Sequence, residues 1–123
     1  MSALISELQL LGYTAHTSPL PSIGNPDPPQ DLSEDIAAVR SLVERAIGQC
    51  NNVIVFPHSW AGIIAGSALI GLSKEERKAE GKKGGVVRTG YMASFILPQG
   101  VSLIDAIGGE LPPWCEVRVS VLI

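Results

Sequence analysis

An α/β fold, with parallel strands alternating with helices, is what this sequence predicts, and three observations carry the prediction. Two short runs rich in β-favouring residues, Asn52 to Phe56 and Val86 to Ala93, lie on either side of a helix-like stretch. The first run has no polar alternation, which is the pattern of a central parallel strand buried on both faces. Finally, 46% hydrophobic and 17% charged residues in a chain of 123 fit one domain around a buried sheet, at the small end for this architecture.

From the N-terminus, Ser2 to Leu11 carries Leu4, Ile5, Leu8 and Leu11 on one helical stripe, with Ser2 as N-cap and Gly12 just past the end. Tyr13 to Thr17 is short, β-favouring and followed by prolines, and predicts a strand. Pro19, Pro21, Pro26, Pro28 and Pro29, with Gly24 and Asn25, make 18–30 a surface loop, because proline removes donors and fixes φ. Asp31 with Glu34 makes a capping-box-like start to a helix in which Leu32, Ile36, Val39, Val43, Ala46 and Ile47 recur at helical spacing until Gly48. After the strand at Asn52, Trp60 to about Gly71 predicts a helix whose Gly62, Ala65 and Gly66 allow close approach to the sheet. Ser73 with Glu76 caps a charged helix from Lys74 to Glu80, ended by Gly81-Lys82-Lys83-Gly84-Gly85. A helical crossover then makes Val86 to Ala93 a parallel neighbour of the earlier strand. Pro98-Gln99-Gly100 leads into a short helix near Val101 to Ile107, and Val117 to Ile123 is a further strand candidate.

Composition excludes several partners. A formal charge of -3, with acids and bases mixed along the chain, leaves no electrostatic footprint for nucleic acid or an anionic membrane. Cys50 and Cys115 have no metal-ligand spacing, so we expect reduced thiols, no metal and no cofactor. The N-terminus has no basic n-region and no long apolar core, which predicts no secretory signal and a cytoplasmic setting.

The segment Val53-Ile54-Val55-Phe56-Pro57-His58-Ser59-Trp60-Ala61-Gly62 passes from apolar strand through a serine-bearing turn into a small-residue-rich helix. That is the context of a nucleophile elbow, which holds a serine hydroxyl at the apex of a strained turn with a helix N-terminus behind it. His58 and Ser59 with Gly62 resemble the Gly-His-Ser-x-Gly-Gly form of the elbow in α/β-hydrolase-fold proteins. Further along, Gly81-Lys82-Lys83-Gly84-Gly85-Val86-Val87-Arg88 and Tyr91-Met92-Ala93-Ser94-Phe95-Ile96-Leu97-Pro98-Gln99-Gly100 are similar to fungal members of the esterase-like group. The resemblance covers nearly the whole chain. It implies a partial α/β-hydrolase fold, incomplete at both ends, with residues 1–94 as core and 95–123 as the start of a cap-like segment. It also implies Ser59 as nucleophile, the Trp60 backbone N–H as oxyanion donor, and His58, Ala61 and Gly62 as elbow support. Two positions depart from the pattern: Pro57 and Ala61 stand where the family has glycine. The family's remaining triad members, an acid and then a histidine, follow the serine later in the chain, and none of those positions is present here.

From its own inventory the chain offers few substitutes. His58 adjoins Ser59, where the backbone directs the two side chains apart, so it is expected to pack and hydrogen-bond beneath the elbow. His16, on the strand expected at Tyr13 to Thr17, reads first as structural, and Asp27, Asp31, Asp35 and Asp105 read first as solvated or capping residues. Val53 to Leu72 is apolar enough for a membrane helix, but Pro57, His58 and Ser59 favour strand, turn and helix. The Gly-Lys-Lys-Gly-Gly run lacks the Ser or Thr of a phosphate loop and reads as a solvated turn. Trp60 and Trp114 read first as core, with a pocket lining as the alternative. Two functions follow: a serine hydrolase acting on a small ester-like substrate, or a non-catalytic derivative lacking the acid and histidine. In either case, sheet edges left open predict self-association.

Overall fold

The computed structural model describes residues 2–115. Its elements are α1 (Ser2–Leu10), α2 (Ser33–Ile47), β1 (Asn52–Val55), α3 (Ala61–Ala68), α4 (Lys74–Ala79), β2 (Gly85–Thr89) and α5 (Leu103–Ala106). The two strands pair in parallel, Asn52 opposite Gly85 and Val55 opposite Thr89, with α3 and α4 as the crossover between them. The register slips between Val53 and Ile54, where Val87 is left over opposite them.

The core forms on one face of this sheet. Val39, Val43 and Ile47 recur at four-residue spacing along α2 and bring one stripe onto Val53, Val55 and Val86, with Leu69 and Leu72 closing the layer. Val43, Ile47 and Leu72 are the buried members, and burying a side chain of this kind stabilises the fold by about 1.5–3 kcal/mol. The end of α2 is set by Gly48, whose N–H still donates to Glu44 O while its φ of 50° turns the chain out of the helix. Arg40, on the same helix, donates to Ala68 O at 3.3 Å and Ile70 O at 2.8 Å, giving partners to carbonyls at the end of α3. The Arg40 contact ties the crossover to α2 and had no signal in local spacing.

Several expectations change. Residues 13–17 form no strand, since they lie against no neighbouring strand that could supply ladder hydrogen bonds. The stripe of α1 buries nothing, with Leu4 exposed and Leu11 exposed beyond the helix end. Asp31 does not cap α2: its carboxylate accepts from the Ser33 N–H at 2.8 Å in a local turn, and Leu32 occupies the cap position without a side-chain bond. Among the described residues β1 is covered on one face only, because none of their helices packs on the side of Ile54, 52% exposed, and Phe56, 54% exposed. α3 and β2 end earlier than expected, at Ala68 and Thr89, and Gly66 faces open space while Ala65 beside it is buried. The expected capping box of Ser73 and Glu76 is present, and a second joins Ser102 to Asp105, one of the acids expected as solvated or capping. The strand candidate at 117–123 lies outside the described residues.

Candidate active site

The turn after β1 is built by pairing that outlasts the strands. Gly90 N–H donates to Val55 O at 2.8 Å, Met92 N–H to Pro57 O at 3.0 Å, and Ser59 N–H to Met92 O at 3.2 Å. The rung that a residue-57 N–H would supply is absent because proline has no N–H, and the ladder resumes on either side of it. Proline in place of glycine is thus accommodated at the strand end, where Pro57 is buried.

At Ser59 the chain reverses into the left-handed region, φ 53°. A side-chain-bearing residue there costs of order 1–3 kcal/mol and persists only when its surroundings over-determine it. Three donors do so: the Ser59 carbonyl accepts from Ser94 Oγ at 2.7 Å, Gly62 N at 3.3 Å and Phe95 N at 3.4 Å. Trp60 then takes helical angles, φ -54° and ψ -34°, and α3 starts at Ala61. The turn closes where Gly62 meets the 94–95 segment. A Cβ on Gly62 would collide with Phe95 O and Ser94 Oγ, so the glycine is required for the approach. Ala93 is the other left-handed non-glycine residue among the described residues, φ 41°, and it bends the chain after β2 so that Ser94 and Phe95 return to the Ser59 turn.

Ser59 is exposed, and Trp60 is half-buried. Among the described residues the Trp60 N–H donates to no protein acceptor. Ser59 Oγ makes no hydrogen bond there, and neither do the imidazoles of His16 and His58. His58 is exposed, not packed beneath the turn; its backbone bridges to Met92 while its side chain points away from the core. Of the acids, Asp105 binds its own helix start through Ser102, Asp27 is exposed, and Asp35 is enclosed against Ser22. No group of three or more His, Cys, Asp or Glu suited to a metal occurs among the described residues. Trp114, 82% exposed, belongs to no core.

A cleft of about 420 Å³ runs along the outer side of α3, between Gly62, Ile63 and Ile70 and the loop at Ile96 to Val101. At the opposite end of the sheet, Lys74, Lys78, Lys82 and Lys83 border a smaller hollow of about 320 Å³. The turn there is held: Arg77 donates to Gly84 O at 3.1 Å and Lys83 O at 3.2 Å. No described helix is long and apolar enough to cross a membrane.

A parallel strand, a left-handed serine and a helix starting two residues later form the local geometry of the α/β-hydrolase elbow. Sequence comparison decides the family. Alpha/beta hydrolase nvfD of Aspergillus novofumigatus is 31% identical over 113 residues, 92% of this chain and 44% of that protein. A probable hydrolase of a Phoma species is 31% identical over 111 residues, 89% of this chain and 42% of that protein. The chain belongs to the α/β-hydrolase-like family. Its described residues are part of that fold: the elbow strand, its partner and the helical crossover between them. The chain spans less than half the length of these curated hydrolase relatives. No protein-family model and no solved structure matches it.

Ser94 and Ala93 are the elbow residues that sequence reading passed over. Their role depends on a chain reversal after β2 that no local motif announces. The need for glycine at 62 against the 94–95 segment is visible only once the two segments meet.

Proposed function

We propose that the protein is a serine hydrolase acting on a small carboxylic ester, with Ser59 as nucleophile. The observation that carries this reading is the φ of 53° at a serine between a parallel strand and a helix. Such strain at a non-glycine residue is retained where geometry serves chemistry. Ser59 Oγ attacks the ester carbonyl carbon and gives its proton to a general base. The carbonyl π pair moves to oxygen, and the Trp60 N–H stabilises that oxyanion. The tetrahedral species collapses with loss of the alcohol, and water then releases the acyl group from Ser59. Ala61 and Gly62 support the elbow, with His58 adding only its backbone bridge to Met92, residues 1–94 supply the core and 95–123 begin a cap. Open sheet edges and the wet face bearing Ile54 and Phe56 favour association of two copies.

A second reading, a non-catalytic derivative of the fold, is favoured by one observation: among the described residues no base is hydrogen-bonded to Ser59. Intact-mass labelling with a fluorophosphonate decides between them. Labelling of native protein that Ser59→Ala and heat denaturation both abolish is expected for the hydrolase. A folded protein that stays unlabelled is a non-catalytic derivative.

A further inference from the structure

The Ser59 carbonyl and the Trp60 N–H belong to one peptide unit. No peptide bond among the described residues is cis, so the two groups point in opposite directions from one rigid plane. Whatever fixes the carbonyl therefore fixes the direction of the N–H. Ser94 Oγ lies 2.7 Å from that carbonyl oxygen, closer than either backbone donor on the same oxygen. A carbonyl has no proton, so the hydroxyl is the donor. A hydrogen bond at the oxygen draws electron density through the amide and leaves the N–H a better donor. On the far side of the peptide, the Trp60 N–H has no protein acceptor among the described residues.

We infer that Ser94 is a positioning residue for the oxyanion donor. Its hydroxyl orients and polarises the 59–60 peptide so that the Trp60 N–H faces the substrate carbonyl. The inference rests on the hydrolase reading for its chemical consequence, and on geometry alone for its effect on the peptide. Two features keep the hydroxyl in place. The left-handed turn at Ala93 delivers Ser94 to the elbow, and Gly62 leaves no side chain between them. Alanine at 94 would remove the donor and leave the space of its Oγ unfilled.

The test compares Ser94→Ala, Ser94→Thr and Ser94→Val in the whole protein. Threonine and valine have nearly the same shape and differ in the hydroxyl, so this pair separates loss of the donor from altered packing even if alanine loosens the loop. Two readouts are taken. The first is the rate of fluorophosphonate addition at Ser59, whose phosphonyl oxygen sits where the oxyanion forms. We expect Ser94→Thr within about twofold of wild type, and Ser94→Val and Ser94→Ala slower by about threefold to tenfold, the factor one hydrogen bond gives. The second is the amide 15N shift of Trp60, which needs no activity. It should move upfield in Ser94→Val and stay near its original value in Ser94→Thr. A Trp60 shift and a labelling rate indifferent to the hydroxyl overturn the proposal. A Trp60 shift that follows the hydroxyl in a protein that never labels keeps the positioning role and removes the hydrolase reading.

Discussion

Asp35 is fully enclosed in the first turn of α2, and its carboxylate accepts the backbone N–H of Ser22 at 2.9 Å and the Ser22 hydroxyl at 2.6 Å. The pair ties the proline-rich loop to the helix that carries the core. Expected to be a solvated or capping residue near the helix start, Asp35 is instead the buried anchor of a segment with no regular structure of its own. A buried carboxylate is retained when its lone pairs meet donors, and both of its oxygens do so here.

Replacing Asp35 by alanine leaves the Ser22 N–H and hydroxyl without an acceptor. We expect a loss of about 2–3 kcal/mol, the scale for hydrogen bonds to a charged group. Ser22→Ala, which keeps the backbone contact, should cost less. Urea denaturation of the two variants checks the order; an Asp35→Ala midpoint equal to wild type contradicts the anchor.

Two glycines of α3 should respond oppositely to alanine. At Gly62 the new Cβ meets Phe95 O and Ser94 Oγ, so Gly62→Ala is expected to destabilise by about 1–3 kcal/mol and to open the elbow. At Gly66 nothing lies within 4 Å, and Gly66→Ala should add up to about 1 kcal/mol through helix propensity. Thermal denaturation of both variants, measured together, tests the contrast.

Strain at Ser59 makes a separate prediction. Glycine adopts a φ of 53° without steric cost, so Ser59→Gly should raise stability by about 1 kcal/mol while abolishing fluorophosphonate labelling. Ser59→Ala also removes the nucleophile but keeps the Cβ and the strain. A Ser59→Gly protein no more stable than Ser59→Ala would show that the turn is relaxed.

Acid should weaken the two capping boxes. The Ser73 hydroxyl and, to a lesser extent, its backbone N–H hold the Glu76 carboxyl below the ordinary glutamate value of 4.5. Ser102 does the same for Asp105, below the ordinary aspartate value of 3.8. Because these folded-state values are depressed, their contribution is present above the unfolded values and is lost as pH falls through the folded ones. The loss therefore falls below pH 4.5 for Glu76 and below 3.8 for Asp105. In Ser73→Ala, the carboxyl resonance of Glu76 should titrate at higher pH than in wild type, and the α4 amides should lose their added acid sensitivity.

Local signals were legible wherever a short span of chain settles its own structure. The stripe Val39, Val43 and Ile47 marked α2, Gly48 marked its end, and Ser73 with Glu76 marked the start of α4. The same reasoning misplaced Tyr13 to Thr17, since β-favouring residues make no strand without a partner to accept their hydrogen bonds. It also took Asn52 to Phe56 as buried on both faces, because an apolar run does not state which face receives a helix.

By itself the sequence determined the strand-turn-helix around Ser59, the parallel order of the two strands and the helix whose stripe makes the core. Periodicity, caps and the crossover rule act over neighbouring residues or single connections. The tertiary structure alone decided that Ser94 reaches the Ser59 carbonyl, that Asp35 is buried on Ser22, and that Arg40 holds the end of α3. Those contacts join residues 35, 13 and 28 to 30 positions apart. A hydrogen bond across such a separation depends on how the elements pack, which no local spacing encodes.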